Sequence, residues 1–486
     1  MFSSNGATNL IGVSETKAEE GVDGSLIGLL GKSWINGRDG KHKMPPRLAK
    51  DTQRGLYFIF HEFKRHPLKE PERVVPASLT LSPFFGVLLM KRISLLVLLA
   101  MLVSGPFAVA QTKEPKFKKI VLSDTFFAEG SYYGDFNKDG KLDVVAGPYW
   151  YEGPDFTKKH EIYPPVAVDP KGYSECFGMF VGDFNGDGWD DVFVCPHPGT
   201  QGYWFENPQG KEGHWKRHAG PSEIGNESQF WADILGNGQA GPVYNMDGWL
   251  GFATFEVKDG DPNWTFHKVS GQDGKFQKYT HGVGCGDING NGLIDMLEKD
   301  GWWEQPKEKG KTPWTFHPFK FADAAAHMLV YDIDGDGLND VVTAWHCHLY
   351  GLVWYKQIRN ADGNISWEKH EILTSTPDKN SDALRISQMH AFAVADFNGD
   401  GVPDFVTGKR YWAHGPTGDE EPDAPAVVYW FETKRDGKGG ATFVPHMIDA
   451  DSGVGTQVCV ADLNGDGIPD VVASNKKGTF VFLSEK

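Results

Sequence analysis

This 486-residue sequence is short of positive charge, of closely spaced cysteines, of helical periodicity and of long apolar runs, and each shortage removes a class of protein. Lys and Arg number 48 against 65 Asp and Glu, a balance that disfavours nucleic acid and anionic membrane as partners. The five cysteines, Cys176, Cys195, Cys285, Cys347 and Cys459, are odd in number and show no pairing pattern, so they read as small buried apolar residues with one or two disulfides at most. No heptad or helical apolar period is sustained, which argues against a bundle. No nucleophile elbow, phosphate loop or dinucleotide fingerprint is present.

One apolar run stands out, from Ile93 to Val103, preceded by Lys91 and Arg92 and followed by small residues at Ala108 and Ala110. It has the three parts of a secretory leader and falls short of the roughly 20 residues a membrane span needs. Residues 90–110 are therefore expected to be a signal peptide cleaved after Ala110, giving a secreted or periplasmic protein without a membrane span in its mature form. Residues 1–89 read as upstream sequence outside the native chain, or else as a cytoplasmic extension ahead of an uncleaved anchor. Residues 1–110 hold 14 of the cations and 9 of the carboxylates, so 34 cations and 56 carboxylates remain, a net charge of −22. That excess implies cations gathered on clustered carboxylates.

What the mature part has in abundance is glycine, aromatics and one acidic pattern, D-x-[DN]-x-[DN]-G-x-x-D followed by an apolar pair. It begins at Asp135, Asp183, Asp287, Asp332, Asp396 and Asp462, with a worn copy at Asp233. Successive starts are 48, 50, 54, 45, 64 and 66 residues apart, the scale of one supersecondary unit per repeat. Each unit continues with an aromatic strand (YWYE at 149, YWFE at 203, GWWE at 301, LVWY at 352, YWFE at 429). A strand carrying one histidine follows: His160, His218, His267, His317, His370 or His446. Four strands per repeat is a propeller blade. After the last acidic loop the chain supplies only two more strands, and the missing one is FKKIVLS at 117–123, with lysine in the histidine's place. The expected fold is all-β: a seven-bladed propeller over residues 111–486, closed by its N-terminal strand so that no sheet edge is left open.

These loops make the chain resemble the FG-GAP or VCBS-type repeat propellers, whose calcium loops are shared with the integrin α headpiece; Gly147-Pro148 and Phe177-Gly178 are weaker echoes. The resemblance spans nearly all of residues 112–486. Independently of it, the pattern suits calcium, which takes six to eight hard oxygens around a flexible loop turned by a glycine at position 6. The expected ligands at positions 1, 3, 5 and 9 are Asp135, Asn137, Asp139 and Asp143; Asp183, Asn185, Asp187 and Asp191; Asp287, Asn289, Asn291 and Asp295; Asp332, Asp334, Asp336 and Asp340; Asp396, Asn398, Asp400 and Asp404; and Asp462, Asn464, Asp466 and Asp470, with the position-7 carbonyl completing each set. The worn copy, with Leu235 at position 3 and Gly241 at position 9, is expected to have lost its ion. That leaves up to six structural calcium sites.

Function is expected on the face opposite these loops. Strand starts there contribute His281, His327 and His390; strand ends contribute His197, Asp247, Glu298, His346, His348, Lys409, Arg410, Tyr411 and His414, beneath an acidic loop at 413–426. Three histidines from successive blades can bind a transition metal or act as acid and base. His327, however, precedes its loop by five residues where His281 and His390 precede theirs by six, which turns it the other way unless a bulge intervenes. Two functions are compatible with such a face. One is a recognition platform for a protein or glycan. The other follows from a more distant resemblance to sugar-ketone dehydratase and polysaccharide lyase propellers, which implies His390 or His346 as base, Arg410 neutralising an enolate and Tyr411 as acid.

Overall fold

In the computed structural model, which describes residues 114–308 and 310–485, each acidic loop turns between two short antiparallel strands. The first loop shows why. The Asp135 carboxylate accepts the N–H groups of Asp139 at 3.0 Å and Gly140 at 2.9 Å, Asn137 accepts that of Asp139 at 2.9 Å, and Asp139 accepts that of Lys141 at 2.9 Å. The side chains thus supply the turn's hydrogen bonds locally, and Gly140, at φ 83°, takes the left-handed conformation the turn requires.

Position 9 does something else. Asp143 is fully buried, and its two oxygens accept the N–H of Phe136 at 2.9 Å and of Gly153 at 2.9 Å, fastening the loop to the end of the third strand. Asp191, Asp295, Asp404 and Asp470 repeat the bridge, and Asp340 binds Gln357 N at 2.8 Å and the Trp354 indole at 3.0 Å. Burial pushes these carboxyls up to about 7, and to about 6 for Asp470. In the worn copy Gly241 replaces this aspartate, and a Cβ there would lie 2.1 Å from the Ala253 carbonyl oxygen.

All regular elements among the described residues are strands, in five four-stranded sheets and one of eight, the latter being two groups of four joined where Val283 and Gly284 run parallel to His327 and Met328. Within each group neighbouring strands are antiparallel. The histidine of each outer strand lies opposite an aromatic of the third strand and stacks on it: Trp150 with His160 at 4.1 Å between centroids, Trp204 with His218 at 4.2 Å, Phe252 with His267 at 4.8 Å, Trp302 with His317 at 4.1 Å, Trp354 with His370 at 4.5 Å and Trp430 with His446 at 4.3 Å. The strand Lys116–Ser123 pairs antiparallel with Gly478–Glu485, from Lys116 opposite Glu485 to Ser123 opposite Thr479. The register puts Ile120, opposite Val481, where the other outer strands have a histidine, so the expected lysine is not in that place, and Lys119 instead covers the Phe480 ring at 4.7 Å.

The core lies between sheets. One buried cluster joins Val145 and Trp150 to Met179 and Val194, another Phe193 and Trp204 to Tyr244 and Phe255, and so on along the chain. A last cluster joins Val472 and Val481 of the final sheet to Val144 and Tyr151 of the first. A cavity is lined by inner strands of six of the seven four-stranded groups, among them Tyr132, Phe180, Trp231, His327, Val394 and Val460. His327 thus faces this cavity. Its ring meets Phe230 edge-on at 4.8 Å, Nδ1 accepts the Phe392 N–H at 3.4 Å, and Nε2 has no hydrogen-bond partner among the described residues. The five cysteines are free and all but Cys285 are buried. Among the described residues no helix is long and apolar enough to cross a membrane. The leader at 90–110 and the segment before it lie outside the described residues.

Removing residues up to Ser123 bares the ladder edge of Gly478–Glu485. The truncated chain is expected to melt lower and to aggregate with rising concentration on size exclusion; an equally stable monomer would show the pairing to be dispensable. His327 yields a pH prediction. Burial pushes its imidazole down to about 4 from 6.5, so the folded state prefers the neutral ring. The associated stability is complete above pH 6.5 and is lost as pH falls toward 4, by about 3 kcal/mol in full. His327→Leu is expected to flatten that part of the stability profile in denaturant titrations; an unaltered slope would refute the assignment.

Candidate functional site

The two ends of the sheets differ in chemistry. At the acidic end, positions 1, 3 and 5 of the loops are half-buried or exposed, apart from the buried Asp334, and offer oxygen donors, the type calcium takes, while position 9 is committed to hydrogen bonds within the fold. Two further glutamates stand beside loops, with Glu304 accepting the Asn289 amide at 3.0 Å and Glu432 that of Asn398 at 3.1 Å. Both also hold the outer-strand histidines, His317 at 2.9 Å and His446 at 3.1 Å. Their signal in the sequence was the glutamate closing each aromatic strand. In the fifth repeat that residue is Lys356. Its ammonium lies on Asp334, on Asp336 at 2.7 Å and on the Gly439 carbonyl at 2.9 Å. Among the described residues this is also the acidic loop whose three carboxylates, Asp332, Asp334 and Asp336, come within 4.8 Å of one another. A side-chain cation stands where that loop would hold a metal.

At the opposite end Arg410 reaches across the molecule. It is 1 % exposed, and its guanidinium binds Glu129 at 2.5 Å and Glu227, two residues far from it in sequence. Burial raises the Glu227 carboxyl, but Arg410 and then His281 outweigh it and hold the group well below its ordinary range. Glu227 Oε2 lies 3.1 Å from His281 Nε2, and His281 Nε2 lies 3.2 Å from His348 Nε2. The rings of His281 and His348 also meet that of His390 at 5.3 and 5.1 Å. Burial opposes charge on His281, yet Cys347 and Glu227 raise it to about 10; burial and the charge of His281 push His348 down to about 3, and burial and Arg410 push His390 well down.

The structure therefore gathers His281, His348 and His390, with Cys347, and leaves His327 apart in the cavity. The one-residue offset decides this: His281 and His390 precede their strands, Val283–Gly286 and Phe392–Ala395, whereas His327 begins its own, His327–Tyr331. His346 and His414 flank the group, 5.9 and 4.5 Å from the His348 ring. Arg410, 1 % exposed, is paired with two carboxylates, and His390 is 2 % exposed. Tyr411 stacks on Trp412 at 4.8 Å, with the Lys477 ammonium over its ring at 4.8 Å. The loop at 413–426 is drawn inward: Asp419 accepts the His414 N–H at 2.8 Å, Glu420 pairs with Lys379, and Glu421 pairs with Arg385 at 3.0 Å. Glu129, Glu227 and Cys347 were not among the residues expected to matter.

Beside this buried network lies an exposed aromatic group. Tyr173 and Tyr279, 41 % and 43 % exposed, flank His197 with centroids 5.7 and 5.5 Å away. Lys476 stands over Tyr173 at 4.5 Å and Lys278 over Tyr279 at 5.4 Å.

Comparison with protein families matches residues 332–407 to an FG-GAP-like repeat and residues 454–480 to an FG-GAP repeat. A search of curated proteins finds no match. Among solved structures, the chain is similar to a lectin from Agrocybe aegerita, described as the structural basis of specific recognition of non-reducing terminal N-acetylglucosamine, at 16% identity over 76% of this chain and 86% of that one, with a TM-score of 0.40. The family matches take in the loops at Asp332, Asp396 and Asp462, whose repeats form four-stranded antiparallel sheets here. Two segments of this chain, 332–407 and 454–480, thus match FG-GAP-type repeats, within an all-β fold of four-stranded antiparallel groups.

Proposed function

We propose that the chain is an exported, closed, seven-bladed propeller, braced by calcium at its acidic loops, whose opposite end is a platform for binding a glycan. The observation that carries the binding reading is the exposed Tyr173, His197 and Tyr279 group. A sugar ring has an apolar C–H face that stacks on such rings, and its hydroxyls need a donor held alongside, which Lys278 provides. A protein ligand is the alternative occupant. The lyase or dehydratase reading is weaker, because the arginine it needs is buried between two glutamates.

Closure of the ring is supported by the pairing of Lys116–Ser123 with Gly478–Glu485 and by the apolar cluster shared by the first and last sheets. Export rests on the leader at 90–110. Calcium is supported by the oxygen-only donor sets and the −22 charge of residues 111–486. With dissociation constants of about 10⁻⁴ to 10⁻³ M, an ion at ten times that concentration adds about 1.4 kcal/mol per loop. Several filled loops together rival the net stability of a domain.

Excess EDTA is expected to lower the melting temperature and added calcium to restore it; a curve indifferent to both would remove calcium from the account. Lys356→Met should add one calcium to the number bound, read by calorimetric titration, and an unchanged stoichiometry would mean the fifth loop binds none. On a glycan array the protein should give discrete hits, weakened about tenfold, or about 1.4 kcal/mol, by each of Tyr173→Ala and Tyr279→Ala. A silent array, or hits untouched by both substitutions, would sink the platform at this position.

A further inference from the structure

The buried histidine group has the makings of a second kind of metal site, independent of the glycan reading and of the oxygen-lined loops. One donor atom each from His281, Cys347, His348 and His390 falls within 4.8 Å of the others. They come from three successive repeats: His281 before the strand Val283–Gly286, Cys347 and His348 after Asp340–Ala344, and His390 before Phe392–Ala395. None is drawn from the repeating pattern of outer-strand histidines, each of which is occupied by stacking.

Three details point to a cation at their centre. First, His390 Nδ1 lies 3.1 Å from the Gln388 carbonyl, so Nδ1 carries the proton and donates, and Nε2 bears the free lone pair. That Nε2 is buried without a hydrogen-bond partner among the described residues, a costly arrangement for a ring that is 2 % exposed. Fixing one nitrogen by a backbone carbonyl is how a metal-binding histidine is oriented. Second, the Nε2 atoms of His281 and His348 stand 3.2 Å apart. Two nitrogens each about 2.0 Å from a tetrahedral zinc lie about 3.3 Å apart, so little movement is needed to seat an ion between them. Third, a negative charge lies beside the group: Glu227 Oε2, itself held by Arg410, is 3.1 Å from His281 Nε2, a contact the ion would displace.

We propose that His281, Cys347, His348 and His390 bind one zinc ion, tying three repeats together at the end of the sheets opposite the acidic loops. Three imidazoles and a thiol are nitrogen and sulfur donors of borderline softness, which select zinc over calcium or magnesium. Binding releases to solvent the protons of the Cys347 thiol and of His281 and leaves no open coordination position, so the ion is structural. His327, separate in its cavity, takes no part.

The test uses untagged full-length protein, stripped with a chelator and then kept in excess calcium so that the oxygen loops are filled. Zinc is expected to bind at one equivalent per chain. Cobalt(II) in its place should give the visible bands of a tetrahedral ion and a near-ultraviolet thiolate charge-transfer band. Cys347→Ser should abolish the charge-transfer band, and His390→Gln should weaken zinc binding at least tenfold. His327→Leu should leave zinc binding unchanged. Circular dichroism of each stripped variant against stripped wild type separates a lost ligand from a lost fold, and His348→Gln serves where His390→Gln does not fold. Absence of a stoichiometric ion in the folded wild type, or cobalt spectra indifferent to Cys347→Ser and His390→Gln, would overturn the site.

Discussion

Everything regular in this fold hangs on a buried carboxylate. The aspartate at position 9 of each sound loop is withdrawn from solvent, and in all but Asp340, whose two donors both lie on the third strand, it divides its oxygens between a donor beside the loop's start and one near the end of the third strand. Burying such a group costs several kcal/mol unless hydrogen bonds replace water, and here each oxygen receives one. The arrangement sets three strands in register at once, because moving any of them by one residue breaks a bond to a buried acceptor. Where the repeat lacks the aspartate, at Gly241, the neighbouring Ala253 carbonyl fills the space instead. The same fold is reached there by backbone packing, so the staple contributes specificity to six repeats without being the sole source of the sheet.

The acidic motif therefore serves two purposes that a sequence pattern presents as one. Positions 1 to 6 shape a turn from their own side chains; position 9 belongs to the core. Apolar clusters then join sheet to sheet, and the aromatic–histidine stacks shield the third strand from the outside. With the loops at one end and the stacks outside so occupied, the other end is free of the repeat. That is why Arg410, the histidine group and the aromatic rim all occur there.

Much of this was legible in the sequence. The order of strands within a repeat and the return of FKKIVLS to the last sheet follow from local pattern, whereas the expected lysine in the histidine's place does not: the register puts Ile120 there. The separation of His327 from His281 and His390 was legible too, in an offset of one residue. Illegible were Glu129, Glu227 and Cys347. They sit in connections of unequal length, and their partners lie 281 and 183 residues away in the case of the two glutamates, so no spacing marks them. Lys356 lies between these cases. Its departure from the glutamate of its sister strands is plain, but that its ammonium would enter the fifth loop depends on where the third strand ends in space.

The same contrast governs charge. At the histidine end, carboxylates meet full cations: Glu129 and Glu227 meet Arg410, and Glu421 meets Arg385. At the loop end, the carboxylates of positions 1 and 5 are met chiefly by backbone N–H groups, which satisfy their lone pairs but carry no net charge. Hydrogen bonding there is complete while electrostatics is not, and repulsion within a loop falls off only over the Debye length, about 8 Å at physiological ionic strength. A cation placed in a loop shorter than that length relieves the repulsion. The fifth repeat contributes Lys356, and its loop holds three carboxylates in close contact; the other sound loops, with an asparagine at position 3, keep one charge fewer, or two fewer in the fourth, where Asn291 stands at position 5 as well. The variation among repeats is thus what a single constraint, the self-repulsion of a tight acidic turn, would produce.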